Sequence, residues 1–332
     1  MSSKKILLIS IFDYAGSGYR LAEAINLNTN NFVQYLVMLP VADTNNFTRT
    51  PAVCNVTKDG KYSVSKQNID RVNSIIENVD IVHYKGDFLP NKGIYEYLKP
   101  HNKPSIITTS GSFFRVGNSP TSFGKGNFDD YIAVTDVRTT QNPDLNYPKF
   151  DATYTPIAYD VDKYLYSWKR RDVPIISHSP STRGKKGTDL FLQACKELEK
   201  DYKFEINIIE NKTLEECLEE KSRSTIFFDQ IGCGSYGNSS IEAMAFGIPT
   251  ICHIAERSYS QSGGRLSDCP IINCGTTVES LKGAIKSVLD GDLERISIDT
   301  RLWCQKEHGY SRVAKLWNNI YNKTLRSVKN EN

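Results

Sequence analysis

The thirty residues from Thr225 to Ile254, TIFFDQIGCGSYGNSSIEAMAFGIPTICHI, constrain the fold more tightly than any other stretch of the chain. Thr225-Ile226-Phe227-Phe228 is a run of β-branched and aromatic residues, suited to a pleated strand, and Asp229 ends it. Gly232, Gly234 and Gly237 then give the backbone freedom to bend sharply. A helix capped by Ser239 follows and stops at Gly247, with Pro249 beyond it as a breaker, and Thr250 to Ile254 reads as the next strand. Strand, glycine-rich turn, helix and strand in so short a span make a βαβ unit, the building block of a helix-covered parallel sheet. The turn faces a helix N-terminus, where free N–H groups and the helix dipole favour an anion or a row of hydroxyls.

Two residues of this stretch have a bland reading beside a sharper one. Ser239-x-x-Glu242 fits a capping box, in which hydroxyl and carboxylate close off the helix start. The same carboxylate has two oxygens and can also hold a ligand. Asp229 is either a turn carboxylate or an acid placed at the ligand-binding end of a parallel strand.

Ile175 to Asp189 carries the second informative pattern. A strand ends in a Ser/Thr/Gly loop bearing Arg183, Lys185 and Lys186, and a helix with Leu190, Phe191 and Ala194 follows. Cations on a loop at a helix start suit a diphosphate, by charge and by backbone donors together. Gly-x-x-x-x-Gly-Lys-Ser/Thr is absent, so this is not a P-loop. Phe204 to Ile209 is a further strand, ending in the acid Glu210, and Leu214 to Lys221 a short helix. At the other end of the chain, Lys5 to Ser10 is a strand and Asp13 to Arg20 a turn into a helix through Gly16 and Gly18. Strands follow at 32–38, at 79–83 ending in His83, at 105–109 before Ser110 and Arg115, and at 130–134. Residues 45–65 read as a polar loop, 69–76 and 281–289 as helices, 269–274 as a late strand, and 303–328 as a terminal helical region. Strands alternating with helices twice over predict two α/β units with parallel sheets. The polar, basic stretch 163–172 is the expected linker between them.

Composition excludes several classes. With 332 residues, 39% hydrophobic and 24% charged, the chain has the make-up of a globular protein of two domains. A formal charge of +3 argues neither for nor against nucleic acid. Eight cysteines without a Cys-x-x-Cys pair, and five dispersed histidines, suit reduced thiols in a cytoplasm and give no metal spacing. The apolar run 6–12 is followed by Asp13-Tyr14 rather than a small-residue cleavage site, so it reads as a buried strand. No stretch reaches the length of a transmembrane helix, leaving peripheral contact as the only expected route to a membrane.

The string Gly234-Ser-Tyr-Gly-Asn-Ser-Ser-Ile-Glu242-Ala-Met-Ala-Phe-Gly-Ile-Pro249 resembles the donor-site motif of group 1 (family 4-like) glycosyltransferases of the GT-B fold. The resemblance implies two Rossmann-like domains facing a cleft: 1–160 on the acceptor side, 161–310 on the donor side, and a C-terminal helix, 311–332, crossing back to the first. It implies that Glu242 binds the ribose hydroxyls of a nucleotide-sugar of UDP or GDP type, while Arg183 and Lys186 hold its diphosphate. Glu210, Ser235, Tyr236, Gly237, Asn238 and Ser239 then belong to the donor side, with Gly16 and Gly18 as the glycine-rich turn opposite. Asp80-Ile81-Val82-His83 and the turn at Ser110, where His is common in the family, extend the similarity, and Arg115 is a candidate for an acceptor or phosphate. Asp229, His83 and Asp13 are the candidates for the catalytic base. In the family the motif's first Glu stands eight residues before the second, a position taken here by Gly234. The resemblance further implies sugar transfer to a hydroxyl with retention, without a metal or a cofactor beyond the co-substrate. The acceptor stays open: a saccharide, a lipid-linked glycan, a cell-wall polymer, a protein or a hydroxymethylated DNA base. A nucleotide-sugar epimerase and a non-catalytic nucleotide-sugar-binding subunit are the alternatives.

Overall fold

A computed structural model describes residues 3–10, 12–13, 16–38, 55–56, 62–63, 65–86, 101–110, 132, 135–146 and 150–330. The chain divides into two compact units, Met1–Tyr159 with Tyr310–Asn332, and Asp160–Gly309.

Among the described residues the first unit is built on a parallel sheet of six strands: β1 (Lys5–Ser10), β2 (Phe32–Val37), β5 (Ile81–Lys85), β6 (Ser105–Thr109), β7 (Val137–Thr140) and β8 (Thr153–Tyr154), in the order β2-β1-β5-β6-β7-β8. A short antiparallel pair, β3 (Asn55–Val56) and β4 (Tyr62–Ser63), stands apart from it. Both faces of the large sheet are covered, which is why β1 is apolar almost throughout. Alternation sends Leu7 and Ile9 to one face, against Val72 and Ile76 of α2 (Lys66–Glu77) and Phe150. Ile6 and Leu8 go to the other, against Leu21, Ala24 and Ile25 of α1 (Ser17–Asn28). The last helix of the chain packs on that same face through Val313, Trp317 and Tyr321. Tyr310 donates to Glu23 at 2.7 Å, and Asn31 donates to Asn318 at 3.0 Å.

The second unit has five parallel strands: β9 (Ile175–His178), β10 (Glu205–Ile208), β11 (Ile226–Phe228), β12 (Thr250–Cys252) and β13 (Ile272–Asn273), in the order β10-β9-β11-β12-β13. Its helices are α3 (Arg183–Lys186), α4 (Thr188–Leu198), α5 (Leu214–Ser222), α6 (Asn238–Ala245), α7 (Glu256–Gln261), α8 (Val278–Leu289) and α9 (Leu293–His308). Phe191 and Ala194 of α4 join Ile176, Phe228 and Ile251 of the sheet and Leu281 and Ile285 of α8 in one core.

Four expectations are corrected here. The terminal helical region is two helices, α9 and α10 (Tyr310–Asn330), separated at Gly309, whose ψ of 140° is not helical. The stretch 163–172 is not a free linker: Trp168 is buried against Phe227, Ala243 and Phe246, and its indole donates to the Thr225 carbonyl at 3.1 Å. The late strand is shorter than 269–274, spanning Ile272–Asn273. Of the expected strand at 130–134 only Ile132 is described, and it is helical; the strand that is described there begins at Val137. Most of the polar stretch 45–65 also lies outside them.

Candidate functional site

In a parallel sheet every strand ends on the same side, and ligands bind there. In the second unit the carboxyl ends of β10, β9 and β11 are neighbours, so Glu210, the 183–187 turn and Asp229 are brought to one edge. The turns themselves touch. A Cβ on Gly232 would lie 2.2 Å from the Lys185 carbonyl oxygen, and one on Gly187 2.4 Å from the Ile231 side chain. Only glycine permits that approach, and at Gly187 the φ of +78° demands it as well.

Lys186 donates to Asp229 Oδ1 at 2.6 Å. The other carboxylate oxygen accepts from the Ser240 hydroxyl at 2.6 Å and the Gly237 N–H at 3.2 Å. Burial alone would raise the Asp229 carboxyl, but the Lys186 charge and these hydrogen bonds hold it below the usual carboxylate range. Asp229 therefore ties the cationic turn to the start of α6. Arg183 reaches Glu210 through two parallel hydrogen bonds of 2.9 and 2.5 Å, and this pair is far more open, with the Arg183 side chain 52% exposed. The hydrogen bonds from Arg183 lower the Glu210 carboxyl, and Glu210 in turn raises the guanidinium.

The capping box at Ser239 and Glu242 is not formed. Gly237 is the N-cap of α6 and brings no side chain to cap it, so neither Ser239 nor Glu242 takes that place. Glu242 Oε2 and Ser239 Oγ instead accept from Lys221 of α5, at 2.5 and 2.8 Å. Lys221 is 2% exposed. Burial on its own would drive its ammonium towards neutrality, but Glu242 holds the pKa above the ordinary lysine value. A capping box does occur one helix earlier, between Thr213 and Glu216 at the start of α5.

The remaining turn residues divide. Asn238 and Ser239 are half-buried at the helix start. Ser235 and Tyr236 are buried, and Tyr236 points into the unit, its hydroxyl 3.1 Å from His308 Nε2 and its ring edge-on to Trp303. Gly234 sits at φ +67°, where a Cβ would lie 2.9 Å from the Ala255 Cβ, and its carbonyl accepts from the Ala255 N–H and the Ser258 hydroxyl. The backbone there leaves no place for the family's acid.

In the first unit the catalytic candidates are engaged elsewhere. His83 is fully buried, with Nδ1 3.0 Å from the Tyr321 hydroxyl, Nε2 2.6 Å from Thr108 Oγ1 and its ring stacked on Trp317. Burial, reinforced by Lys85, pushes it down to about 3. It packs beneath α10 with both ring nitrogens engaged. Asp13 is buried and accepts from the Gly18 and Tyr19 N–H groups at 2.8 and 3.1 Å, capping α1. Gly16 takes φ +65° before that helix, and a Cβ on Gly18 would strike the Tyr35 hydroxyl at 2.3 Å. Ser110 is half-buried just after β6, and Arg115 lies outside the described residues.

Two residues of the second unit carried no sequence signal. Lys221 looks like any solvated lysine of a helix end. His178 closes β9 with Nδ1 3.0 Å from the Phe228 carbonyl and Nε2 2.9 Å from the Thr188 hydroxyl, and burial lowers it to about 4. Among the described residues no cluster of three His, Cys, Asp or Glu side chains could hold a metal, and no helix is long and apolar enough to cross a membrane.

No protein-family model matches the sequence, and neither does any curated protein. Solved structures do match in fold. Sucrose-phosphate synthase from Thermosynechococcus elongatus superposes with TM-score 0.67 at 13% identity, over 98% of this chain and 100% of that one. A glycosyltransferase from Rickettsia africae gives 0.64 at 15% identity, over 98% and 99%. HepE from Anabaena, in complex with UDP and glucose, gives 0.58 at 9% identity, over 96% and 99%. The chain has the GT-B fold that such structures share.

Proposed function

We propose that this GT-B chain transfers a sugar from a nucleoside-diphosphate donor to a hydroxyl acceptor. The bond from the anomeric carbon to the diphosphate oxygen breaks, the diphosphate leaves with the electron pair, and the acceptor oxygen bonds the same carbon as its proton departs. The observation that carries this reading is the single strand-end edge that gathers Arg183, Lys186 and the start of α6 with Glu242. Negative charge grows on the departing diphosphate, and cations held in place before it arrives stabilise that charge without reorganising. Glu242, one helical turn away, is suited to the ribose hydroxyls. Retention and independence from metal follow the motif resemblance, a cytoplasmic setting follows the cysteines without a Cys-x-x-Cys pair, and all three are part of the proposal.

A second reading, a nucleotide-sugar-binding subunit without turnover, is favoured by Gly234, whose backbone excludes the acid usual at that place. One pair of experiments separates the two. Thermal shift with UDP, ADP and GDP reports donor binding by mass action. Mass spectrometry of nucleotide-sugars with and without a panel of saccharide and lipid-linked acceptors reports turnover. Stabilisation with transfer supports the enzyme, stabilisation without transfer supports the binding subunit, and neither result refutes both.

A further inference from the structure

Lys221 enters the second unit's core from α5 and is almost wholly withdrawn from water. Its ammonium lies on Glu242 Oε2 and Ser239 Oγ and 5.3 Å from the centroid of the Phe227 ring. Taking an ammonium out of water is costly even when it is paired, so a buried lysine at this point is weak support for stability alone. Of the Glu242 carboxylate the pair uses only Oε2. Its Oε1 has no hydrogen-bond partner among the described residues, yet it is not among the sealed, unpartnered atoms. It therefore keeps a narrow contact with solvent, in a side chain 7% exposed. Ser239 is in a matching state: its oxygen accepts from Lys221, so its hydroxyl proton is directed elsewhere. Residues 239 and 242 are three apart and share one face of α6. Lys221 thus leaves a free donor on Ser239 beside a free acceptor on Glu242. A vicinal diol, which both accepts and donates, is complementary to that pair.

We propose that Lys221 is a positioning residue of a cis-diol subsite: by pinning Glu242 Oε2 and Ser239 Oγ it presents Glu242 Oε1 and the Ser239 hydroxyl to the ribose 2′- and 3′-hydroxyls. The inference rests on the donor reading of Glu242 given above. It adds that the diol is read by two side chains whose polarity a third, inaccessible residue sets.

The test compares the tightest binder among UDP, ADP and GDP with its 2′,3′-dideoxy counterpart, by calorimetry on the full chain. The wild type should prefer the ribonucleotide by about tenfold or more, the range of a hydrogen bond to a charged group. Lys221→Met should abolish that preference by weakening ribonucleotide binding, leaving dideoxynucleotide affinity within about twofold. Lys221→Gln, which keeps one donor, should restore part of it. If Lys221→Met retains the full preference while Glu242→Gln loses it, the lysine is a packing ion pair and the inference falls with the donor reading intact. If the wild type shows no preference, or Glu242→Gln keeps it, the ribose reading of Glu242 is what fails. Should Lys221→Met not fold, Ser239→Ala tests the same donor–acceptor pair, and an unchanged preference there overturns it.

Discussion

Asp13 and Asp229 occupy matching places in the two units. Each follows a strand of a parallel sheet, precedes a glycine-containing turn and meets the N-terminus of the next helix. Asp13 gives both oxygens to backbone N–H groups of α1. Asp229 gives one oxygen to the start of α6 and keeps the other for Lys186. The same residue at the same topological position closes a helix in one unit and anchors a cation in the other. What differs is the turn on the adjacent strand, which in the second unit carries Lys186 to within reach. The histidines repeat the lesson in reverse. His83 and His178 sit in different units, and both are buried with both nitrogens engaged.

The most damaging way to break the comparison is to remove the cation from Asp229. Lys186→Met leaves a wholly buried carboxylate without its counter-charge, which should cost about 3 kcal/mol. A urea titration checks this, and nucleoside diphosphate binding should be lost in the same variant. Asp229→Asn removes the charge with the pair, so it should destabilise less than Lys186→Met while still weakening nucleotide binding. Equal stability for Lys186→Met and wild type would mean that Asp229 does not depend on the cation.

Acid should act on both units. His83 and His178 are held at about 3 and about 4 in the folded chain, below the ordinary histidine value of 6.5. Between those values the unfolded chain binds more protons, so stability is full above pH 6.5 and falls as pH drops towards 4. Each histidine contributes a slope of about 1.4 kcal/mol per pH unit inside its window. Asp229, held low, adds to the loss only at lower pH, as its carboxyl is protonated. Urea midpoints at pH 7, 5.5 and 4.5 should fall in that order, and a His178→Gln variant should show a shallower decline. A flat profile would contradict the neutral, buried state of both rings.

Asp13→Asn should cost about 1 kcal/mol, the worth of a helix N-terminal carboxylate, and leave nucleotide affinity untouched. A melting curve and a nucleotide titration on this variant set the structural acid against the Asp229 variant directly. The smallest stability effect belongs to Arg183→Ala. Its pair with Glu210 is exposed, and such pairs contribute about 0.5 kcal/mol or less. Nucleoside diphosphate affinity should nevertheless fall by about tenfold, as when a charge-assisted hydrogen bond is lost. Unchanged affinity would remove Arg183 from the phosphate site.

Much of the fold was legible because its signals are local. Apolar runs such as Ile6–Ile9, glycine stops such as Gly247 and breakers such as Pro249 act within a few residues, so the alternation of strands and helices could be read along the chain. The positions of Arg183, Lys186, Asp229 and Glu242 at strand ends and helix starts followed from the same punctuation. Their partners did not. That Glu242 faces Lys221 rather than the N-terminus of its own helix depends on how α5 packs against α6. Spacing within one helix cannot show that. By its sequence pattern His83 closes a strand, but β5 runs on to Lys85 and His83 stands in its middle, where Trp317 and Tyr321, more than two hundred residues later, seal it. Sequence by itself determined the order of strands and helices and the turns that join them in the second unit, because backbone preference and periodicity are short-range. Tertiary structure decided which of their residues meet a charge, a ring or open solvent, because burial and pairing are set by segments distant in the chain.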